Sequence, residues 1–304
     1  PEVTDKHFVA RYIRHLSSTR TWRQRLVNGD FREMKLSKWT EKLQRMVAEI
    51  DGGTVVEDYF DDLPIAQAVR EVYNILQGQT SDRRCAVVIG KTGIGKSVIA
   101  KKIVAENPRE TGFVECNENC TTPFQLVRAF SRAVGAPEKH GASTQTEALL
   151  EFLKARPMTI FVDEGHEGGV GVFKLVKSLI NQTKAKFLLF CYPTKWSRLI
   201  SGSDDAYSEA QQLLGRTIKP VIDHWSDGVH RADVAAYLRA AVPSLNGESE
   251  SLAAAIVEDV RTHGNFRILA DAIDDARLIA DEAGNEITPG LIREQIKALI
   301  PARK

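Results

Sequence analysis

The sequence predicts an α/β fold: a parallel five-stranded sheet flanked by helices, a small helical unit after it, and a short helical head before it. Three observations carry this. Short apolar runs of strand type alternate with amphipathic stretches from residue 85 to residue 222. The segment 90–97, GKTGIGKS, lies between one such run and a helical stretch. After Asp227 and Gly228 the periodicity is helical throughout.

The first 50 residues carry an excess of basic residues, eleven Lys/Arg against six Asp/Glu. Residues 8–16 and 21–27 read as helices, with a turn at Asn28 and Gly29. Leu36, Trp39, Leu43, Met46, Val47 and Ile50 then form an amphipathic stripe. Arg14, Arg20, Arg23 and Arg25 surround Trp22. The head is either a reduced helix-turn-helix, with Arg20, Arg23 and Arg25 against DNA phosphates, or a docking helix with a solvated basic face. Residues 51–62 are acidic, with a Gly52-Gly53 linker. The expected units are therefore 1–53, 54–227 and 228–304.

In the second unit, Asp62 is expected to cap a helix lined by Ile65, Val69, Val72, Tyr73 and Leu76 and ended by Gly78. Residues 85–89, CAVVI, form the first strand. Val98, Ile99, Ile103 and Val104 mark the next helix, which Asn107 and Pro108 stop. Residues 112–116 are a strand, and Phe124, Leu126, Val127 and Phe130 a helix ending near Gly135. Thr144 and Glu147 make a capping-box pattern before Leu149, Leu150, Phe152 and Leu153. Strands follow at 159–162, 186–190 and 218–222, with a helix at Phe173, Val176, Leu179 and Ile180. Strands alternating with helices argue a parallel sheet covered on both faces. The last unit has four helical stretches, around Val234, Leu252, Phe266 and Leu291, the last capped by Thr288 and opened by Pro289.

Residues 90–97 fit the G-x-x-x-x-G-K-[ST] pattern in its required strand–loop–helix context. Gly93 and Gly95 let the backbone turn its N–H groups around a polyphosphate, and the helix N-terminus adds partial positive charge. Gly90, Lys91, Thr92, Gly93, Ile94, Gly95, Lys96, Ser97 and Val98 are the expected ATP-binding stretch. Lys96 is assigned to the β- and γ-phosphates and Ser97 to Mg²⁺. The apolar run at 159–162 ends in Asp163 and Glu164. Asp163 suits Mg²⁺-bound water, and Glu164, pointing differently, suits polarising the attacking water. Four glycines between Gly165 and Gly171 suggest a mobile loop.

Other classes are disfavoured. No apolar run approaches the ~18 residues of a membrane helix, and no signal-peptide pattern opens the chain. The four cysteines mostly fall in or beside strand-like runs, as buried thiols of a cytoplasmic protein would. Cys116 and Cys120 with His140 or His166 fit no zinc spacing well.

With a helical unit after such a core, the sequence resembles the AAA+ ATPases. The run from His263 through Arg267 resembles their sensor-2 motif, which implies that Arg267 reaches the γ-phosphate. An arginine opening a helix sits poorly with the macrodipole, which independently suggests a functional reason. Within AAA+ proteins the chain is similar to the DNA-transposition ATPases: the phage Mu B protein, the TnsC and TniB proteins and the IstB helpers. The resemblance covers roughly residues 55–300. It rests on the compact core, on Asp163-Glu164-Gly165-His166, and on residues 213–216, LLGR, before the last strand.

That resemblance implies ATP and Mg²⁺ as cofactors, with double-stranded DNA, a transposase and further copies of the chain as partners. It implies a cytoplasmic ATPase that oligomerises on DNA, marks transposition targets and recruits the transposase. Arg216 takes the place of the arginine finger that completes a neighbour's ATP site. Lys139, His140, Lys174, Lys177, Lys184 and Arg198 lie near the expected DNA-facing loops. Where Asn is usual at sensor 1, this chain has Cys191, Tyr192, Pro193 and Thr194, so Tyr192 or Thr194 would have to supply the polar group. A protein-remodelling or regulatory switch ATPase, and a helicase loader of replication-initiator type, share the same motifs.

Overall fold

The computed structural model describes residues 58–300, apart from 118, 119, 121, 202–204, 219 and 220. Arg20, Arg23, Arg25 and the rest of the basic head lie outside the described residues.

The described residues form five strands, the first four on the predicted apolar runs: β1 (Cys85–Gly90), β2 (Thr111–Glu115), β3 (Thr159–Asp163), β4 (Lys186–Cys191) and β5 (Ile222–Trp225). They form one sheet in the order β2-β3-β4-β1-β5, and every pairing is parallel. Parallel neighbours need crossovers, and the helices between strands supply them. These are α1 (Pro64–Gly78) before β1, α2 (Lys96–Glu106), α3 (Pro123–Val134) and α4 (Ala142–Ala155), then α5 (Gly169–Gln182), α6 (Pro193–Ser201) and α7 (Asp205–Leu214).

The two-residue strand period sorts the core into two layers. Ala86, Val88, Phe161, Leu188 and Phe190 face α1, α2 and the C-terminal helices. Val87, Ile89, Ile160, Val162 and Leu189, on the alternate positions, face α3, α4 and α5. After β5 come α8 (Arg231–Ala241), α9 (Ser249–Thr262), α10 (Phe266–Ala283) and α11 (Pro289–Leu299). Their apolar faces join the first layer, so one continuous core runs from the sheet into the helical part. Among the described residues no helix is long and apolar enough to cross a membrane.

Several local expectations are corrected. The last strand begins at Ile222 instead of ending there. Thr217 makes only an isolated bridge to Cys85, and Pro220 has no N–H to give a ladder. Asp62 sits in a 3-10 turn (Asp58–Asp62), and α1 starts after Leu63 with no side-chain cap. Thr144 does not cap α4, because that helix already begins after Gly141 and the Thr144 hydroxyl donates to the His140 carbonyl. The capping box belongs to α3 instead, where Thr122 and Gln125 bond reciprocally. The glycine-rich stretch after Glu164 is a turn followed by the first turn of α5, which Gly169 opens at φ 57°.

Candidate nucleotide site

β1 and β3 flank β4, so the loop after β1 and the acidic end of β3 project from the same edge of the sheet. Ligands of open parallel sheets bind outside this carboxyl edge. A cavity of about 450 Å³ lies there, bounded by the loop, by the end of β3 and by α8 and α10.

The loop wall is made of backbone. Gly93 and Gly95 take φ of 83° and 96°, the left-handed region that side chains disfavour. A Cβ on Gly93 would lie 2.0 Å from the Gly264 carbonyl oxygen, and one on Gly95 2.3 Å from Phe60 Cζ. The loop is therefore pressed between the C-terminal helices and the segment before α1. Ile94 does not line the cavity: it turns into the core beneath Gly90. Lys96 is 6% exposed, and its Nζ donates to the carbonyls of Gly90 (2.6 Å) and Lys91 (2.9 Å). Burial lowers its pKa, opposed by the nearby Glu164 and Asp163 carboxylates.

The acidic wall is made of side chains. Asp163 is 3% exposed and accepts from the Glu164 N–H (3.1 Å). Glu164 has φ 49°, uncommon for a residue with a side chain, and this turns it out of the strand direction. Burial, then the charge of Asp163, raises the Glu164 pKa, with Lys96 opposing. Ser97, Asp163 and Glu164 line one cavity with Lys96, as the sequence predicts.

Arg267, in the first turn of α10, also lines the cavity. Its helix is anchored by Asn265, whose Nδ2 donates to the Thr92 carbonyl (2.9 Å) and whose Oδ1 accepts from the Val229 N–H (2.9 Å). Asn265 is 3% exposed and holds φ 58° and ψ −135°, a strained pair for any residue but glycine. Sequence reasoning assigned no role to Asn265, although its place between Gly264 and Phe266 in the quoted motif was a signal. Glu115 was also missed. It lines the cavity because β2 pairs with β3 in a register that sets Glu115 beside Asp163. The apolar part of the lining is Phe60, Val98, Ala270 and the stacked rings of Tyr237 and Phe266 (centroids 4.9 Å apart).

Other predicted residues lie apart. Arg216, after α7, does not border this cavity; its guanidinium donates to Asn181 Oδ1 (2.8 Å) and to the Gln212 carbonyl (2.9 Å). Lys174 and Lys177 are on α5, where Lys177 Nζ donates to Gln212 Oε1 (2.9 Å), and Lys139 precedes α4. None of the three lines the cavity. Neither Tyr192 nor Thr194 lines it either; the Tyr192 N–H donates to His166 Nδ1 (3.2 Å). All four cysteines are buried, free thiols. Among the described residues the one metal-competent cluster is His224, His230 and Asp233. The fold already uses it: Asp233 Oδ2 accepts from Trp225 Nε1 and the His230 N–H, and His230 Nε2 donates to the His224 carbonyl.

Residues 79–199 match the family model described as "AAA domain". The α/β core is an AAA+ P-loop fold. Solved structures similar to the chain include the following two. The Caenorhabditis elegans PCH-2 structure is 12% identical, with 80% of this chain and 72% of that chain covered and a TM-score of 0.47. A closed-state reconstruction of Hsp104 with ATPγS and FITC casein is 14% identical, with 77% and 41% covered and a TM-score of 0.48. No curated protein matches the chain.

Proposed function

We propose that this chain is a Mg²⁺-dependent AAA+ ATPase, that it assembles with further copies of itself on double-stranded DNA, and that it serves transposition by marking target DNA for a transposase. The observation that carries the ATPase reading is one cavity whose lining combines two kinds of group. Lys96, Ser97, Asp163, Glu164 and Arg267 supply charge and polar atoms, and Phe60, Tyr237 and Phe266 supply aromatic surface. A nucleoside triphosphate needs both, for a polyphosphate tail and a flat apolar base.

Each residue then has a task. The loop N–H groups and the α2 N-terminus bind phosphate oxygens. Lys96 exchanges its bonds to the Gly90 and Lys91 carbonyls for bonds to the β- and γ-phosphates. Ser97 and Asp163 would hold Mg²⁺, which neutralises charge between the phosphates. Glu164 orients the attacking water and accepts its proton; burial and the charge of Asp163 raise its pKa, which makes it a better base than an ordinary carboxylate. Arg267 brings positive charge from α10 to the γ-phosphate.

The finer reading is supported by the likeness to the transposition ATPases at residues 163–166 and 213–216, and by the basic composition of residues 1–50. It needs Arg216 to work in a neighbour's site, in keeping with its place away from this chain's own cavity. The test is binding to random-sequence duplex DNA with ATP or ADP over a salt series, with electron microscopy of the products. Tighter binding with ATP, little sequence preference, a steep loss with salt and filaments on DNA are expected. Closed rings indifferent to DNA would replace this reading with that of a protein-remodelling switch. A mixing experiment checks Arg216. Arg216→Ala subunits bind ATP but turn over poorly, and mixing with Lys96→Ala subunits restores activity at hybrid interfaces. No recovery in confirmed mixed assemblies removes Arg216 from the site.

A further inference from the structure

The imidazole of His166 is enclosed, its side chain 3% exposed, between the end of β3 and the end of β4. Its Nδ1 faces the backbone N–H of Tyr192 at 3.2 Å. A backbone N–H only donates, so Nδ1 accepts and the ring proton of the neutral form sits on Nε2. Nε2 in turn lies 3.1 Å from Glu164 Oε2 and 3.2 Å from Glu167 Oε1. Both carboxylates thus stand within reach of the one Nε2–H, with Glu167 hydrogen-bonded to the ring. Glu167 has a second contact, with Lys195 Nζ of α6 at 3.8 Å. Burial lowers the His166 pKa, which favours the neutral ring.

We propose that His166 is a positioning residue for hydrolysis. Its Nε2–H holds the Glu164 carboxylate in place, and its Nδ1 ties that carboxylate to the end of β4. Glu167 competes for the same N–H and carries the influence of α6 to the site. The inference rests on the ATPase reading and assigns the control of that same site. Glu164 needs such a support. It sits on a left-handed backbone one residue beyond the strand, outside the paired register of β2 and β3. A carboxylate that must aim a water gains from losing rotamer freedom, because misplacement of a reacting group costs rate rather than substrate affinity.

The full chain is tested as wild type, His166→Leu, His166→Gln, Glu167→Gln, Glu164→Gln and the His166→Leu/Glu164→Gln double variant. Steady-state turnover, single-turnover rate, ATP affinity and melting temperature are measured for each. His166→Leu should lower kcat about tenfold or more, the scale of one hydrogen bond to a charged group, with ATP affinity held within about twofold. His166→Gln should keep most of the rate, since a glutamine amide has both an acceptor for the Tyr192 N–H and a donor for Glu164. In the Glu164→Gln background, His166→Leu should cost little more, because the two residues act as a unit. Glu167→Gln, an exposed change that does not endanger folding, should raise kcat about two- to threefold.

Equal losses from His166→Leu in both backgrounds, or a wild-type rate in His166→Leu, overturn the proposal. If His166→Leu melts early, Glu167→Gln decides, and an unchanged kcat there overturns it. Wild-type turnover by Glu164→Gln removes Glu164, and with it the proposed role of His166, from catalysis, whereas no ATP turnover in the wild type overturns the ATPase reading itself.

Discussion

The two walls of the cavity are built in different ways. The loop wall is backbone: its shape comes from Gly93 and Gly95, and even the buried Lys96 is held by main-chain carbonyls. The acidic wall is side chains. Asp163 and Glu115 end two neighbouring strands, Glu164 follows Asp163, and His166 lies 3.1 Å from Glu164 and accepts from the Tyr192 N–H just after a third. A backbone wall binds charge wherever phosphate oxygens lie. On the proposed reading, the wall of carboxylates serves one reacting water and is adjusted by whatever moves its supports.

The largest effects should separate the walls most sharply. Lys96→Ala removes the loop's buried cation and should abolish measurable ATP binding, read by calorimetry. Glu164→Gln should leave affinity nearly unchanged and lower turnover by about 10²–10⁴, the usual contribution of general base catalysis. If the chain binds DNA as proposed and hydrolysis drives release, this variant should also stay trapped on DNA. If both variants lost affinity equally, the division of labour between the walls would be wrong.

Asn265 is where the loop wall is clasped by the C-terminal helices, and it should give the next largest effect. Asn265→Ala leaves the Thr92 carbonyl and the Val229 N–H without their partner, at about 1–3 kcal/mol per buried group, and it keeps the strained backbone. Asn265→Gly loses the same bonds and relieves strain of about 1–3 kcal/mol. The glycine variant should therefore melt above the alanine variant, while both bind ATP more weakly than wild type. Equal melting temperatures would mean that the conformation at residue 265 stores no strain.

What the sequence made legible follows the same division. The loop was readable because a backbone wall demands glycines at fixed spacing, and the strands because a parallel sheet demands apolar runs. Asp163 and Glu164 were readable as polar residues closing such a run. Glu115 and the His166–Tyr192 link were not, because strand register, rather than spacing along the chain, brings them to the site. The Gly165–Gly171 stretch was misread because glycines at a helix start look like those of a loop. Thr144 was misread because a capping-box pattern one turn inside a helix has the same letters as one at its end.

The smallest expected effect tests how far the loop wall depends on its foundations. α2, which opens with Lys96 and Ser97, is fastened at its far end to α1 and to the turn bearing Phe60. Arg70 donates to Asp61 (2.7 Å) and to both Glu106 oxygens (2.7 Å each), and Lys102 reaches Asp61 (2.6 Å). For Asp61, burial alone would raise the pKa, but the hydrogen bonds from Lys102 and Arg70 bring it below the usual value. For Glu106 the hydrogen bond from Arg70 is the main cause of the lowering. Both folded-state values lie below the unfolded ones. Their contribution to stability is therefore full above the ordinary carboxylate range and lost as pH falls through the lowered folded-state values. The groups are partly solvated, so the network is worth about 1 kcal/mol at most. Arg70→Ala should lower the melting temperature by a few degrees at pH 7 and by less at pH 3, with ATP affinity reduced by less than about twofold. A large loss of ATP affinity at pH 7 with little change in melting would show that the loop depends on this distant clamp, and that the backbone wall is as adjustable as the acidic one.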